Sequence, residues 1–274
     1  MSNSLSTEQI QHFEEQGYLY PLDALTTEQA ADCLAKLEAM ETELKTDPQK
    51  YLKIKAHLAA PWIVDLACNP AILDAVESLI GPDILLFGSS LFAKREQDDR
   101  FVSWHQDSAY YGLDPHQEIT AWLALTDATP DNGCLNVLPG SHRGQDFDHD
   151  ETYDPKNLLS RGQTIRGLKE EDAVEMALRA GQFSLHHERT VHGSRGNHTD
   201  QRRVGIAFFY MPAHVVSTLG RRSAMLVRGE DRHGHWDSDP VPQRVLDEQC
   251  MAYLRQIWES YQNPEVTKQA AKHA

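Results

Sequence analysis

The tetrapeptide Trp104-His105-Gln106-Asp107 sets an imidazole and a carboxylate two residues apart. The run before it, Arg100-Phe101-Val102-Ser103, is aromatic and β-branched enough to predict a strand. Side chains two apart on a strand leave from the same face, so His105 and Asp107 are expected to point together. Such a pair supplies two of the three protein ligands of a facial non-haem iron site, which a second histidine completes. Taken alone the pattern is weak, because an ordinary surface histidine–aspartate hydrogen bond has the same spacing. His186, His187 and His192, in Ser184-Leu185-His186-His187-Glu188-Arg189-Thr190-Val191-His192-Gly193-Ser194, compete for the third place. A triad closed by one of them leaves open metal positions for a bidentate 2-oxo acid and for dioxygen.

A second candidate feature follows in Arg202-Arg203-Val204-Gly205-Ile206-Ala207-Phe208. Read as a strand, it puts Arg203, Gly205 and Ala207 on one face and Arg202, Val204, Ile206 and Phe208 on the other. An arginine followed by two tiny residues leaves room for a ligand and offers a guanidinium fork to its carboxylate. Arg202 is expected to face solvent.

The elements that must position these groups fall into two textures. Ser6-Thr7-Glu8-Gln9 and Thr26-Thr27-Glu28-Gln29 each carry the signature of a helix start, and Asn69-Pro70 predicts a third start with asparagine as cap and proline at the first position. The stretch at 51–58 is amphipathic and fits strand or loop. Beyond Pro82 the pattern turns to strands: residues 84–94, the Trp104 strand, 119–128, 134–138, 174–178, 182–187 and 202–211, with polar turns such as Asp131-Asn132-Gly133. Many strands with short turns predict a β-sandwich or closed barrel. Residues 144–172 form a polar, acidic stretch expected to be a long surface loop of the kind that often serves as a lid. Residues 220–243 read as a second irregular stretch, and a closing helix is expected over 245–261. The whole is expected to be a single domain: residues 1–82 mainly helical, 83–218 the β core, 219–274 a loop and a C-terminal helix.

Composition narrows the function classes. The formal net charge of −15 over 274 residues opposes nucleic-acid binding, which needs a positive footprint. No window approaches the roughly 18 apolar residues that would span a bilayer, so no membrane association is expected. Met1-Ser2-Asn3-Ser4-Leu5 shows neither the basic nor the apolar part of a signal peptide. Cys33, Cys68, Cys134 and Cys250 are scattered with no CxxC pair, which argues against a zinc ribbon and suits a reducing cytoplasm.

Several motifs in order now resemble one family. His105-Gln106-Asp107, then Ala121-Trp122, then Asn132-Gly133-Cys134-Leu135-Asn136-Val137-Leu138-Pro139-Gly140-Ser141-His142 are similar to the phytanoyl-CoA dioxygenase family. So is His192-Gly193-Ser194 followed by Asn197, Thr199 and Arg203, and the opening Phe13-Glu14-Glu15-Gln16-Gly17-Tyr18. The resemblance covers most of the chain. It implies a double-stranded β-helix, the cupin-like jelly roll with flanking helices, working with Fe(II), 2-oxoglutarate and dioxygen. By that match His105, Asp107 and His192, rather than His186 or His187, are the metal ligands and catalytic centre, and Arg203 anchors the distal carboxylate of 2-oxoglutarate. Ser194 and Trp122 fall where the family touches the cosubstrate, and Lys55 stands in place of a family lysine in the same region. Halogenating relatives carry a small residue where Asp107 stands, so the resemblance implies hydroxylation of an unactivated C–H, coupled to conversion of 2-oxoglutarate into succinate and carbon dioxide.

The substrate is a small molecule by the same reasoning, since an acyl-CoA asks for a broad basic surface. Its wall is expected from Ser108, Tyr110, Tyr111 and the 220–243 stretch, where Arg221, Arg222 and Arg228 would meet an anion. The chain resembles bacterial members of the family that hydroxylate small polar metabolites, which makes 2-aminoethylphosphonate, oxidised to its 1-hydroxy derivative in phosphonate metabolism, the specific expectation. Hydroxylation of an ectoine-like metabolite, a natural-product intermediate or an acyl-CoA is the enzymatic alternative. A metal-binding jelly-roll sensor without catalysis is the alternative of another class. The triad plus Arg203 argues against it, because a scaffold has no use for a cosubstrate anchor.

Overall fold

The computed structural model describes residues 4–45, 47–144, 146–159 and 162–261. The first three residues of the N-terminal run and residues 145, 160 and 161 of the 144–172 stretch lie outside that description.

Five α-helices flank the strands: α1 (Thr7–Gln16), α2 (Thr27–Leu44), α3 (Pro61–Ala67), α4 (Pro70–Ile80) and, at the end, α6 (Glu248–Tyr261); a single-turn helix, α5, spans Ser108–Tyr111. The expected starts are present. Ser6 with Gln9 and Thr26 with Gln29 form reciprocal capping boxes, and Asn69 caps a helix with Pro70 in its first turn.

A large sheet runs in the order β1 (Tyr18–Asp23), β10 (Gln182–His187), β5 (Ile119–Ala124), β12 (Arg203–Pro212), β2 (Ile84–Lys94), β14 (Ser223–Arg228), β15 (Asp237–Ser238). A smaller sheet runs β3 (Val102–His105), β11 (His192–Ser194), β6 (Leu135–Val137), β9 (Val174–Met176). Two ribbons, β4 (Leu113–Asp114) with β13 (Val216–Ser217) and β7 (Asp150–Glu151) with β8 (Gln163–Thr164), complete the strands. The two sheets face each other as a double-stranded β-helix.

All ten residues of β12 are buried, because the strand is covered on both faces. Val204, Ile206, Phe208 and Tyr210 join the main apolar core with Leu37, Ile63, Ile72 and Val76 of the helices. Arg203, Ala207 and Phe209 face the space between the sheets instead. Burying each large apolar side chain of that outer layer contributes about 1.5–3 kcal/mol, so the helices hold the large sheet rigid from behind. Cys33, Cys68, Cys134 and Cys250 are all unpaired, and among the described residues no helix is long and apolar enough to cross a membrane.

Of the two readings of 51–58, the irregular one holds: turns lead through an isolated bridge at Lys55 into a 3-10 helix over Ala56–Ala59. Two expectations change. The 144–172 stretch is more than a surface loop, since it holds β7 and β8 and sends Leu158 and Leu159 to the cavity wall. Residues 220–243 contain β14, a full member of the large sheet paired through Met225 to Leu86 of β2.

Candidate active site

His105 and His192 meet because they are direct cross-strand partners on β3 and β11, which puts their ring centroids 4.1 Å apart. Each ring is oriented from behind by a backbone carbonyl: His105 Nδ1 lies 2.8 Å from Ser103 O and His192 Nδ1 lies 2.9 Å from Thr190 O. A carbonyl can only accept, so both Nδ1 atoms carry the proton and both Nε2 lone pairs point into the site.

Asp107 arrives differently from expectation. The strand ends at His105, and Asp107 has helical backbone angles (φ −65°, ψ −33°) at the head of α5. The pair converges through a turn, not through strand alternation. Gln106 pins that turn: its Nε2 donates to Arg189 O at 2.7 Å, its Oε1 accepts from Phe147 N at 2.9 Å, and its backbone N–H donates to His149 Nε2 at 3.0 Å. Asp107 then lies 3.4 Å from His105 Nε2 and 3.9 Å from His192 Nε2, and one ligand atom from each of the three residues falls within 4.8 Å of the others.

Burial opposes the charge on Asp107, yet His192, His105 and His186 hold its carboxyl well below the ordinary range. Burial, reinforced by His105 and His186, pushes the His192 imidazole far down, so it is a neutral lone-pair donor. Two imidazoles fixed from behind and one carboxylate suit a divalent non-haem iron with open positions.

Another part of the same cavity is built around Arg203. Its guanidinium lies 5.4 Å from the centre of the Trp122 ring, donates to Phe92 O at 3.3 Å, and keeps a buried Nε with no partner. Among the described residues no carboxylate stands within ion-pair reach of it, and burial lowers its pKa to about 10. A buried guanidinium without a counter-ion is costly unless an anion arrives. Lys94, the cross-strand partner of Arg203, is fully buried and donates to Ser194 Oγ at 2.7 Å and to Arg195 O. Burial, with the Arg203 charge adding to it, pushes the Lys94 ammonium down to about 6. Gly205 is required here, since a β-carbon on it would overlap the Trp122 ring.

The remaining expected residues separate. Trp122, Ser194 and Arg203 line the 490 Å³ cavity beside the triad. Lys55 borders it too, with its ammonium held by Asp239 at 2.6 Å and by the carbonyls of Phe87 and Ser223 at 3.0 Å, so it also braces the wall. Tyr110 packs edge-on against His105, and Tyr111 joins Phe87 and Phe209. Ser108 is buried outside the cavity lining, its N–H held by Glu188 O at 3.0 Å. Arg221 and Arg222 line the mouth. Arg228 does not: Asp74 and Glu77 of α4 hold it at 2.8 and 2.6 Å, on the helical side of the sheet. Arg202 is half-buried against Glu41. His142 is turned to Glu14 O at 3.1 Å, away from the triad.

Sequence reasoning did not single out Lys94, or Leu158, Leu159, Ile257 and Trp258 of the wall. The inward lysine at the end of an apolar strand was a usable signal for Lys94, whereas the apolar wall residues read as ordinary core.

Fold and site together are those of the Fe(II)/2-oxoglutarate-dependent dioxygenases. The family model described as phytanoyl-CoA dioxygenase (PhyH) matches residues 13–205. The probable alpha-ketoglutarate-dependent hypophosphite dioxygenase of Stutzerimonas stutzeri is 31% identical over 166 residues, covering 60% of this chain and 58% of that protein. The peroxisomal phytanoyl-CoA dioxygenase of Homo sapiens is 30% identical over 158 residues, covering 55% of this chain and 47% of that protein. The matched segment thus spans about half the length of these two relatives. The solved structure of the non-haem monooxygenase ThoJ superposes with a TM-score of 0.84 at 32% identity, covering 97% of this chain and 100% of that one. The chain belongs to the phytanoyl-CoA dioxygenase family.

Proposed function

We propose that the chain, working as one catalytic unit in a reducing cytoplasm, hydroxylates an unactivated C–H of a small metabolite that carries an anionic group. His105, Asp107 and His192 hold Fe(II), which together with 2-oxoglutarate and dioxygen supplies the oxidising power for C–H hydroxylation. Arg203 pairs with the distal carboxylate of 2-oxoglutarate, and Ser194 offers its hydroxyl to the same group while Lys94 occupies the hydroxyl oxygen. Trp122 forms the flat wall along which the cosubstrate lies, and the apolar residues around it keep water out. The observation that carries this reading is the buried Arg203, with no carboxylate partner among the described residues, in the same cavity as the His-Asp-His cluster. A metal-binding sensor has no need of that second charge.

Arg222 lines the cavity with its hydrogen bonds going to the neutral oxygens of Tyr111, Gly112 and Ser217, so its charge favours an anionic substrate, and the relative named for hypophosphite supports a phosphorus compound. 2-Aminoethylphosphonate, oxidised to its 1-hydroxy derivative, is therefore the first compound to test. A second reading rests on the wall, where Phe87, Tyr111, Phe209, Leu219, Ile257 and Trp258 suit a larger and less polar skeleton.

The test supplies Fe(II), 2-oxoglutarate and dioxygen with a panel of phosphonates, amino acids and aromatic natural products, and follows succinate release and gain of one oxygen by mass spectrometry. A hydroxylated phosphonate supports the first reading and a hydroxylated apolar compound the second. No substrate-dependent succinate across the panel, with Asp107→Ala retaining iron as tightly as the native chain, would sink both.

A further inference from the structure

Beside the triad stands a third buried imidazole that the proposed function does not use. On β10, Phe183 and Leu185 turn outward into the helical core, and His186 turns inward, opposite Thr120 of β5. It is 2% exposed and lines the cavity. Neither of its ring nitrogens meets a hydrogen-bond partner among the described residues.

The other buried histidines do not share that condition. His57 is held by Ser89 Oγ at 2.8 Å and Asp239 at 3.1 Å, and His105 and His192 each face a backbone carbonyl. Leaving a buried polar group unpaired costs about 1–3 kcal/mol, which an apolar residue at the same place would avoid. Asp107 Oδ2 lies 3.9 Å from His186 Nε2, beyond hydrogen-bond reach. Its ring centroid lies 4.5 Å from that of His192. The vacant hydrogen-bonding positions therefore lie beside the metal ligands, in the cavity that also holds Arg203.

We infer that His186 donates an imidazole N–H hydrogen bond to the metal-side carboxylate or oxo group of bound 2-oxoglutarate, opposite the end held by Arg203. The inference rests on the proposed function and deepens it. 2-Oxoglutarate carries a carboxylate at each end, and the cavity offers two buried donor sets: Arg203 with Ser194, and His186 beside the triad. A neutral imidazole carries one N–H in either tautomer, so the hydrogen bond needs no protonation event. The ring is not a fourth ligand, because the cluster whose ligand atoms lie within 4.8 Å of one another comprises His105, Asp107 and His192 alone among the described residues.

The experiment loads the full chain with Fe(II) under anaerobic conditions and titrates 2-oxoglutarate, following the visible charge-transfer absorption of the iron chelate, with no turnover. His186→Phe removes the N–H and keeps a ring, His186→Leu does so with less bulk, and His186→Gln restores a donor. Weakening of 2-oxoglutarate by about tenfold, or 1.4 kcal/mol, is expected in the phenylalanine and leucine variants, with a displaced absorption band. The glutamine variant should recover most of that loss, and iron affinity measured without 2-oxoglutarate should stay close to native in all three. Unchanged 2-oxoglutarate affinity in the apolar variants overturns the inference while the proposed function stands. A parallel loss of iron affinity overturns it too, by making His186 a ligand. Failure of the native chain to bind iron and 2-oxoglutarate removes the proposed function itself.

Discussion

The two ends of the cavity are held by different kinds of structure. At the end proposed for the cosubstrate, Lys94, Trp122, Ser194 and Arg203 leave four paired strands, and none is more than 8% exposed. At the mouth the walls come from Leu158 and Leu159 of a connecting segment, Leu219, Arg221 and Arg222 after β13, and Ile257 and Trp258 of the last helix. Its two arginines also lean on the scaffold, one through an ion pair and one through neutral oxygens. Arg221 is paired with Asp237 at 2.7 Å, and Arg222 donates to Tyr111 O at 2.6 Å and Ser217 Oγ at 2.8 Å. A site that must always receive the same cosubstrate gains from rigid strands. A site whose ligand differs between relatives is assembled from segments that can change without disturbing the sheets.

Arg203 is the place where this contrast is most easily broken. Arg203→Met is expected to raise the dissociation constant for 2-oxoglutarate by about 30-fold or more, since losing one partner of a buried charge pair costs about 2–5 kcal/mol. Iron affinity should change little, because the ligand atoms that cluster belong to His105, Asp107 and His192 and the guanidinium is not among them. Calorimetry with 2-oxoglutarate in the presence of a redox-inert divalent metal measures both. Native-like cosubstrate binding in the variant would mean that the buried cation serves the prime substrate, and the two ends would have to be exchanged.

The rigid end was also the legible one. The alternation of Arg203, Gly205 and Ala207 against Val204, Ile206 and Phe208 showed in the sequence, and the structure sends the two sets to opposite faces. His105 and Asp107 were recognisable as a pair, although a strand-alternation argument was the wrong reason, because the chain turns at Gln106. The pairing of His192 with His105 depends on the register of β3 against β11, and no local pattern encodes a register between strands so distant in the chain. Ser223-Ala224-Met225-Leu226-Val227-Arg228 is a short apolar run framed by arginines and glycines, so composition hid a strand that pairing with β2 makes stable. The mouth was least legible, since Leu158, Ile257 and Trp258 look like any packing residue until the sheets bring them to one cavity.

Gly205 gives a smaller effect that sharpens the contrast. A methyl group in Gly205→Ala would overlap the Trp122 ring, and β12 is buried on both faces, so the ring must move and not the strand. Such overpacking costs about 1–3 kcal/mol. A lower melting temperature is expected together with weaker 2-oxoglutarate binding, because Arg203 lies over the displaced ring. Thermal unfolding and cosubstrate titration read the two losses separately. Loss of stability alone would show that Trp122 is packing for the sheet and no wall for the cosubstrate.

The smallest change at the cosubstrate end should come from altering the mouth. Arg222 lies 4.8 Å from the centre of the Phe87 ring and 5.3 Å from that of Trp236, and its Nε and Nη2 are used on the scaffold. A lysine there keeps the charge but loses the fork and the planar stacking, so the loop after β13 loses a brace. Arg222→Lys is therefore expected to change KM for the prime substrate several-fold while leaving the dissociation constant for 2-oxoglutarate at its native value. Steady-state kinetics with the substrate identified from the panel, set beside the same cosubstrate titration, makes the comparison. An equal loss in both constants would show that the loop and the strand-built end move as one body, and the cavity would then be a single site in place of two.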